Sequence, residues 1–358
     1  MSQSDDSKTN HVIPRACGLL VIEVENSNPN GDPDRDSDPR QRPDGLGEIS
    51  PVSFKRKIRD IVETKPPEWE ELKGQVQEYF RIDPLEDADF QILERRGRDR
   101  RTIEQEVYTG KFVRKYWDAR VFGNTFLENR DDIKERLAKR DVALAKDGKK
   151  LKAQAVELEK QMRRNIKAGV VQFGMGLSIK PINIRRNSQT SKSGVEEGTE
   201  QGFAPLGYRF VPRATYTMPF FVNPAGAVVR DADGPTKRVC WKWDVELLLR
   251  LIPQAYPLNP SSIRPMVRVV LAHYLEHSNL LGSFPDLEVL RKLAPVAKQP
   301  EAADAAELPY PPCCASWDEA SAKTFLREHL TKNDRSGRFA SYRELVSGME
   351  ITPDQLAN

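Results

Sequence analysis

Residues 18–24, GLLVIEV, run almost without a polar break. That is too apolar for a sheet with one wet face, so the stretch predicts a central strand buried on both sides. The chain then turns abruptly polar. Residues 26–34 read NSNPNGDPD, and further Asp-Pro and Pro-Asp steps with Asp44-Gly45 predict a long, turn-rich loop. Ser50-Pro51 opens a helix, with Ser as N-cap and Pro at the first helical position. Val52, Phe54, Ile58, Ile61 and Val62 give this helix a core side, and Lys55, Arg56 and Arg59 crowd an exposed sector.

Residues 66–112 are weakly patterned and predict short helices and a strand at 90–93; 116–126, YWDARVFGNTF, form a compact apolar patch. In the charged stretch 131–167, Leu137, Leu144, Leu151 and Leu158 recur every seven residues like a coiled-coil seam. Asp141 and Gly148 interrupt the seam and 146–149 reads as a turn, so a helical hairpin packed on its own domain is expected instead. Residues 169–184, GVVQFGMGLSIKPINI, return to strand character, with glycines where something approaches the backbone. Residues 187–202 contain no large apolar residue except Val195 and predict a solvent-exposed excursion. Residues 244–251 and 262–281 predict apolar helices. A Pro/Ala linker at 298–312 precedes a helix near 317–330 and a small helical tail.

A chain of 358 residues, 38% hydrophobic and 30% charged, can fold around one large core with insertions or two modest domains. No apolar run approaches the roughly 18 residues that span a bilayer, and the start lacks a signal-peptide core, so no membrane role and a cytoplasmic location are expected. Cys17, Cys240, Cys313 and Cys314 show no CxxC spacing, which suits buried or idle thiols in a reducing compartment. The net charge of +3 is uninformative, but basic residues bunch at 54–59, 95–101 and 184–186, and such patches can neutralise phosphates.

Two patterns invite metal chemistry. His273, Glu276 and His277 match the inverted zinc-peptidase H-x-x-E-H, yet a third ligand is missing from any motif, and the segment reads as a core helix with a polar stripe. Asp32, Asp34, Asp36 and Asp38 alternate and could hold magnesium for phosphoryl transfer, but they lack the central Gly and closing Glu of a calcium loop. Repeated Asp in a Pro-rich loop more often caps turns. No phosphate-binding glycine loop and no nucleophile elbow are present. No cofactor is implied. Against this, Phe203, Leu206, Tyr208 and Phe210 interleave with Arg209 and Arg213, the mixture of stacking and phosphate-holding groups that single-stranded RNA requires.

Four patches in order then resemble one family, the RAMP-superfamily backbone subunit of type I CRISPR surveillance complexes (Cascade), in the I-C/I-B-like branch. They are LLVIEVENSNPNGDPD joined to SPVSFKRKIRD, then YWDARVFG, GVVQFGMGLSIKP and APLGYRFVPRATY. The resemblance implies an α+β fold: an RRM-like (ferredoxin-like) palm over 15–299 with an inserted thumb near 185–215 and helical finger insertions at 66–112 and 127–168. Residues 1–14 would be a leader and 300–358 a linker and tail. It implies a non-catalytic subunit that polymerises along CRISPR RNA, holds its backbone without sequence preference, and leaves the bases free to pair with target DNA. Other Cascade subunits and a recruited nuclease-helicase would be its partners. RNA contacts transfer onto Asn28, Asn30, Ser53, Lys55, Arg56, Arg59, Gln172 and Ser178, with Arg185, Arg186 and Arg209 added from charge and position. Related type III subunits cleave RNA with an acidic loop residue, so a metal-dependent endonuclease at Asp32 or Asp34 stands as the alternative, and a zinc metallopeptidase as a remote one.

Overall fold

The computed structural model describes residues 12–95, 97, 99–124, 130–165, 168–192, 203–229, 237–297, 315–316, 324–326, 328–329 and 339–351. Helices combine with a largely antiparallel sheet, an α+β architecture. The chain divides into two compact units. One holds Arg15–Ile61, Phe173–Phe221 and Leu249–Asn358; the other holds Met1–Pro14, Val62–Gln172 and Val222–Leu248. No described helix is long and apolar enough to cross a membrane.

The first unit is built on a sheet whose strands run in the order Met349–Ile351, Phe339–Glu344, Val267–His277, Ala16–Ser27, Phe203–Val222, Gly176–Pro181 and Leu46–Ile49. The Ala16–Ser27 strand is central, as its unbroken apolar run requires, and every residue from Ala16 to Val24 is buried. One of its faces, with Cys17 and Leu19, packs with Leu275 under Val289, Leu293, Phe325, Leu326, Phe339 and Tyr342. On the other, Gly18 lies under the ring of Phe220, which a Cβ there would meet at 2.2 Å, so no larger residue fits. Phe220 stacks on Tyr274 at 6.3 Å and meets Phe173 at 5.5 Å, which in turn meets Phe54 of the Pro51–Thr64 helix at 5.1 Å. The helix starts as expected: Ser50 Oγ accepts the Ser53 N–H at 3.1 Å.

Two expectations fail here. The helix at 262–281 is instead the strand Val267–His277, paired antiparallel with Ala16–Ser27 and with Phe339–Glu344. Apolar residues on both of its faces hide the period of two, and the β-branched VRVV is the better guide. The tail is not helical where it is described: Phe339–Glu344 and Met349–Ile351 form an edge hairpin. On a strand, His273 and His277 share a face while Glu276 points away, which takes the zinc-peptidase constellation apart. His273 Nδ1 instead meets the Tyr342 hydroxyl at 2.9 Å.

Burial pushes the His273 imidazole down to about 4, with Glu344 opposing the shift. Its folded pKa thus lies below the unfolded value, so the unfolded chain takes up the proton first as pH falls. Stability attached to this residue is full above about pH 6.5 and drains away toward pH 4, by roughly 3 kcal/mol. Urea unfolding at pH 7 and pH 4.5 should show this loss, and His273→Phe should shrink it; an equal loss in the variant would refute the assignment.

The second unit is mainly helical: Glu68–Phe80, Arg100–Tyr108, Phe112–Lys115, Trp117–Phe122, Arg130–Arg140, Val142–Lys146 and Gly148–Arg164. The heptad leucines face their own domain, with Leu144, Leu151 and Leu158 buried. Leu158 joins Ile103, Val107, Phe112, Ile133 and Met162 in one cluster, and Leu137 packs against it. The predicted turn occurs at Asp147, whose carboxylate accepts the Lys150 N–H at 3.1 Å and caps the last of these helices. At 90–93 there is no strand, only a single parallel bridge from Gln91 to Tyr116. The YWDARVFG patch proves structural. Asp118 accepts the N–H groups of Leu93 (2.7 Å) and Glu94 (3.1 Å), and Arg120 reaches the buried carboxylate of Asp244.

Candidate nucleic-acid interface

The loop after the first strand holds its shape through short polar residues. Asn26, Asp36 and Ser37 adopt left-handed backbone (φ 41°, 49° and 64°), a region where a side chain that bonds locally is tolerated best. Asp32 caps the short Pro33–Arg35 turn, accepting the Asp34 N–H at 3.3 Å. Asn30 works at both ends. Its Nδ2 donates to the Gly31 carbonyl (2.9 Å), and its Oδ1 accepts the Ser50 N–H (2.8 Å) at the start of the basic helix. Asn28 donates Nδ2 to the Ser37 carbonyl (2.8 Å), while its Oδ1 is buried without a hydrogen-bond partner.

Beside this loop stands the Pro51–Thr64 helix. Lys55, Arg56 and Lys57 are half-buried, and Arg59, expected on the exposed sector with Lys55 and Arg56, is instead buried at 9% exposure, one turn further along beside the core residue Ile58. Arg56 Nε lies 2.6 Å from Asp60. Burial lowers the pKa of Lys55, with Arg59 adding to the effect. Burial also lowers that of Lys57, with Arg264 next in weight. Arg264 comes from the segment before the Val267–His277 strand and reaches the Pro29 carbonyl at 3.3 Å. In the same segment the Ile263 carbonyl accepts the Asn28 N–H (2.8 Å), and Asn259 donates to the Lys57 carbonyl (3.0 Å). Helix, loop and this segment therefore join into one cradle with cations on its rim.

An arm closes the other side. The Arg185–Lys192 strand pairs with the start of Phe203–Val222, in the register Arg185↔Phe210 to Lys192↔Phe203, so the expected excursion is in part a regular hairpin. Residues 193–202, including Val195, lie outside the described residues. Tyr208 donates its hydroxyl to the Asn26 carbonyl at 2.7 Å and stacks on Phe210 at 5.2 Å. Arg186 and Arg209 both turn onto the loop's own carboxylates. Arg186 pairs with Asp38 in a fork, its Nε at 3.3 Å, and Arg209 stands 3.3 Å from both Asp36 Oδ2 and Asp38 Oδ1. The Arg186 guanidinium holds the Asp38 carboxyl below the usual carboxylate range. Arg185 is exposed and makes no ion pair among the described residues.

Thus the fold brings Asn28, Asn30, Ser53, Lys55, Arg56, Arg59, Arg186 and Arg209 into one unit and one connected neighbourhood. Ser178 belongs to the same unit but is spent internally, accepting the Gly47 N–H (2.8 Å) and donating to the Lys180 carbonyl (2.6 Å). Gln172 lies in the other unit and donates to the Ala168 carbonyl. Lys57 and Arg264 join the cradle unforeseen: the first is hidden inside KRK, and the second sits in an unpatterned SSIRP. Arg213 is half-buried on the long strand with Nη2 unpartnered.

Among the described residues, one group offers three metal-type ligand atoms within 4.8 Å of each other: Cys17, His277 and Asp286. Its hydrogen bonds oppose a metal. His277 Nδ1 accepts the Ser283 N–H (3.1 Å), so the ring proton sits on Nε2 and points at Asp286 (2.8 Å), which Arg15 also holds at 3.0 Å. Binding through Nε2 would move that proton to Nδ1, against another N–H. Burial pushes the Cys17 thiol up to about 12, so it is no ready thiolate.

A family model described as "CRISPR-associated protein Cas7" matches residues 15–308. Among solved structures, one titled "CRISPR RNA-guided surveillance complex, pre-nicking" is similar over 74% of this chain and 79% of that chain, at 14% identity and a TM-score of 0.36. Another, titled "CRISPR RNA-guided surveillance complex", is similar over 74% and 70%, at 13% identity and a TM-score of 0.35. No match is found among curated proteins. The family match reaches across most of the chain, and structural likenesses this distant add no weight to it.

Proposed function

Because the chain belongs to the CRISPR-associated protein Cas7 family and is a CRISPR RNA-binding backbone subunit, we propose that the cradle of loop, basic helix and arm is where it holds the guide. CRISPR RNA and other subunits of a surveillance complex are its partners. The sheet unit serves as an RRM-like palm, the hairpin from Arg185 as its thumb, and the assembly is of type I, in the I-C/I-B-like branch. Lys55, Arg56, Lys57 and Arg264 neutralise successive phosphates, and Arg185 does so from the arm. Copies of the chain line up along the spacer, hold the sugar-phosphate chain without reading it, and leave bases to pair with target DNA before a nuclease-helicase is recruited.

The observation that carries this reading is the pair of half-buried lysines, whose charged forms are already desolvated beside other cations. An anion placed there restores both. A buried acceptor without a donor, Asn28 Oδ1, costs free energy that a ribose hydroxyl can recover when the loop shifts to admit it. Asn30 and Arg59 support the site from behind: the first spends both ends on the loop and helix start, and the second is buried. Asp32 caps a turn, which favours the structural reading over a nuclease.

Expression with and without a CRISPR array tests the proposal. The chain made with its array should emerge oligomeric and loaded with guide-length RNA, and affinity should fall linearly in log salt. Binding should also weaken as pH rises, beginning at a lower pH than an ordinary lysine would give, because RNA raises the depressed pKa of Lys55 and Lys57. A solitary chain free of ribonucleotide would sink it.

A further inference from the structure

In the helical unit lies a cleft of about 250 Å³ lined by Glu86, Asp89, Phe90, Arg114, Trp241 and Trp243 among others. Its wall is a ladder of flat groups. The Arg120 guanidinium sits between the rings of Phe90 (5.8 Å) and Trp241 (5.7 Å), and Trp243 stacks on Trp241 at 5.7 Å with 12° between planes. Behind the ladder, Asp244 grips the Arg120 fork at 2.8 and 3.2 Å. The fold thus shows inside itself how this wall recognises a guanidinium: a ring against its face and a carboxylate on its edge.

The rim is acidic. Residues 83–89 read DPLEDAD. Of their carboxylates, Asp87 is held by Lys65, Lys73 and Trp69, and Asp89 by a bidentate Arg114. Glu86 is exposed and makes no ion pair among the described residues, while Asp83, also exposed, does not line the cleft. With Arg114 and Arg120 each matched by its own carboxylate, the cleft keeps one uncompensated negative charge beside two indoles. A nucleic-acid strand brings phosphates that this rim repels. A cationic side chain gains from both the rings and Glu86.

We propose that this cleft is a docking pocket for an arginine side chain carried by a protein partner, stacked on the indole wall and paired with Glu86. It repeats at the surface the arrangement that Arg120 makes within. The volume is sufficient for one such side chain.

Tryptophan fluorescence of the full chain, titrated with blocked Gly-Arg-Gly, tests the pocket; blocked Gly-Gln-Gly and uridine monophosphate are the comparison probes. The arginine peptide should give a saturable change, at least tenfold weaker with the glutamine peptide and at least tenfold weaker in Glu86→Lys. Glu86 is exposed, so this variant keeps the fold, and an unchanged urea midpoint verifies that. Trp243→Phe should retain binding and shift the signal. No saturable response to the arginine peptide, an equal response to the glutamine peptide, tighter binding of the nucleotide, or indifference to Glu86→Lys would each overturn the proposal.

Discussion

Reversing Lys55 and Arg56 together to glutamate is expected to lower affinity for guide RNA about a hundredfold at near-physiological salt, from roughly 1.4 kcal/mol at each position. The two replaced cations should flatten the log-log salt slope by about 2. Both side chains are half-buried on the rim of the helix, whereas Phe54 and Ile58 carry its packing, so the urea midpoint should fall only slightly, through the loss of the Arg56–Asp60 pair. Arg59 is left in place because it is buried, and its loss would mix folding with binding. Filter binding across a salt series, with uridine-rich and mixed guides side by side, reads the result. An unaltered slope would move the phosphate contacts elsewhere, and a change confined to one sequence would contradict a backbone-holding role.

Arg120→Ala is expected to destabilise the helical unit by roughly 3–5 kcal/mol, the range for breaking a buried ion pair and stranding its partner. Arg120 is 3% exposed and Asp244 fully buried. The guanidinium also donates to the Val113 carbonyl (3.3 Å) and to that of Arg114, and Asp244 accepts the Trp241 N–H at 3.0 Å. Lysine cannot reproduce the fork, so Arg120→Lys should recover little. Removing both charges, as Arg120→Met with Asp244→Leu, should recover a good part, since no buried charge is then left alone. Urea denaturation followed by tryptophan fluorescence measures all three. A loss below about 1 kcal/mol in Arg120→Ala would show the pair to be screened after all.

How far these features are legible in the sequence differs with the kind of signal. Short-range chemistry is legible. The Ser50 cap, the capping role of Asp32, the turn at Asp147 and the central place of the first strand all depend on residues within a few positions of one another. The Val267–His277 strand reads as a helix because burial on both faces removes the polar alternation that marks a strand. The Phe339–Glu344 strand is hidden because one of its two pairing partners, Val267–His277, is far along the chain. In the cradle, the basic helix is visible as a run of charge. That Arg186 and Arg209 spend their charge on Asp38 and Asp36 is not, because all four look like separate surface charges until a hairpin lays them together.

By itself the sequence determined what depends on neighbours: the caps and turns of the loop, the amphipathic basic helix, the two-sided strand, and the family written in their order. Tertiary structure alone decided which cations are available and which are neutralised, that Arg264 stands beside Lys57, and that Asp118 and Arg120 serve packing. These are questions of desolvation and of distance between residues remote in the chain. A charge's worth depends on what the fold places within a few ångströms of it.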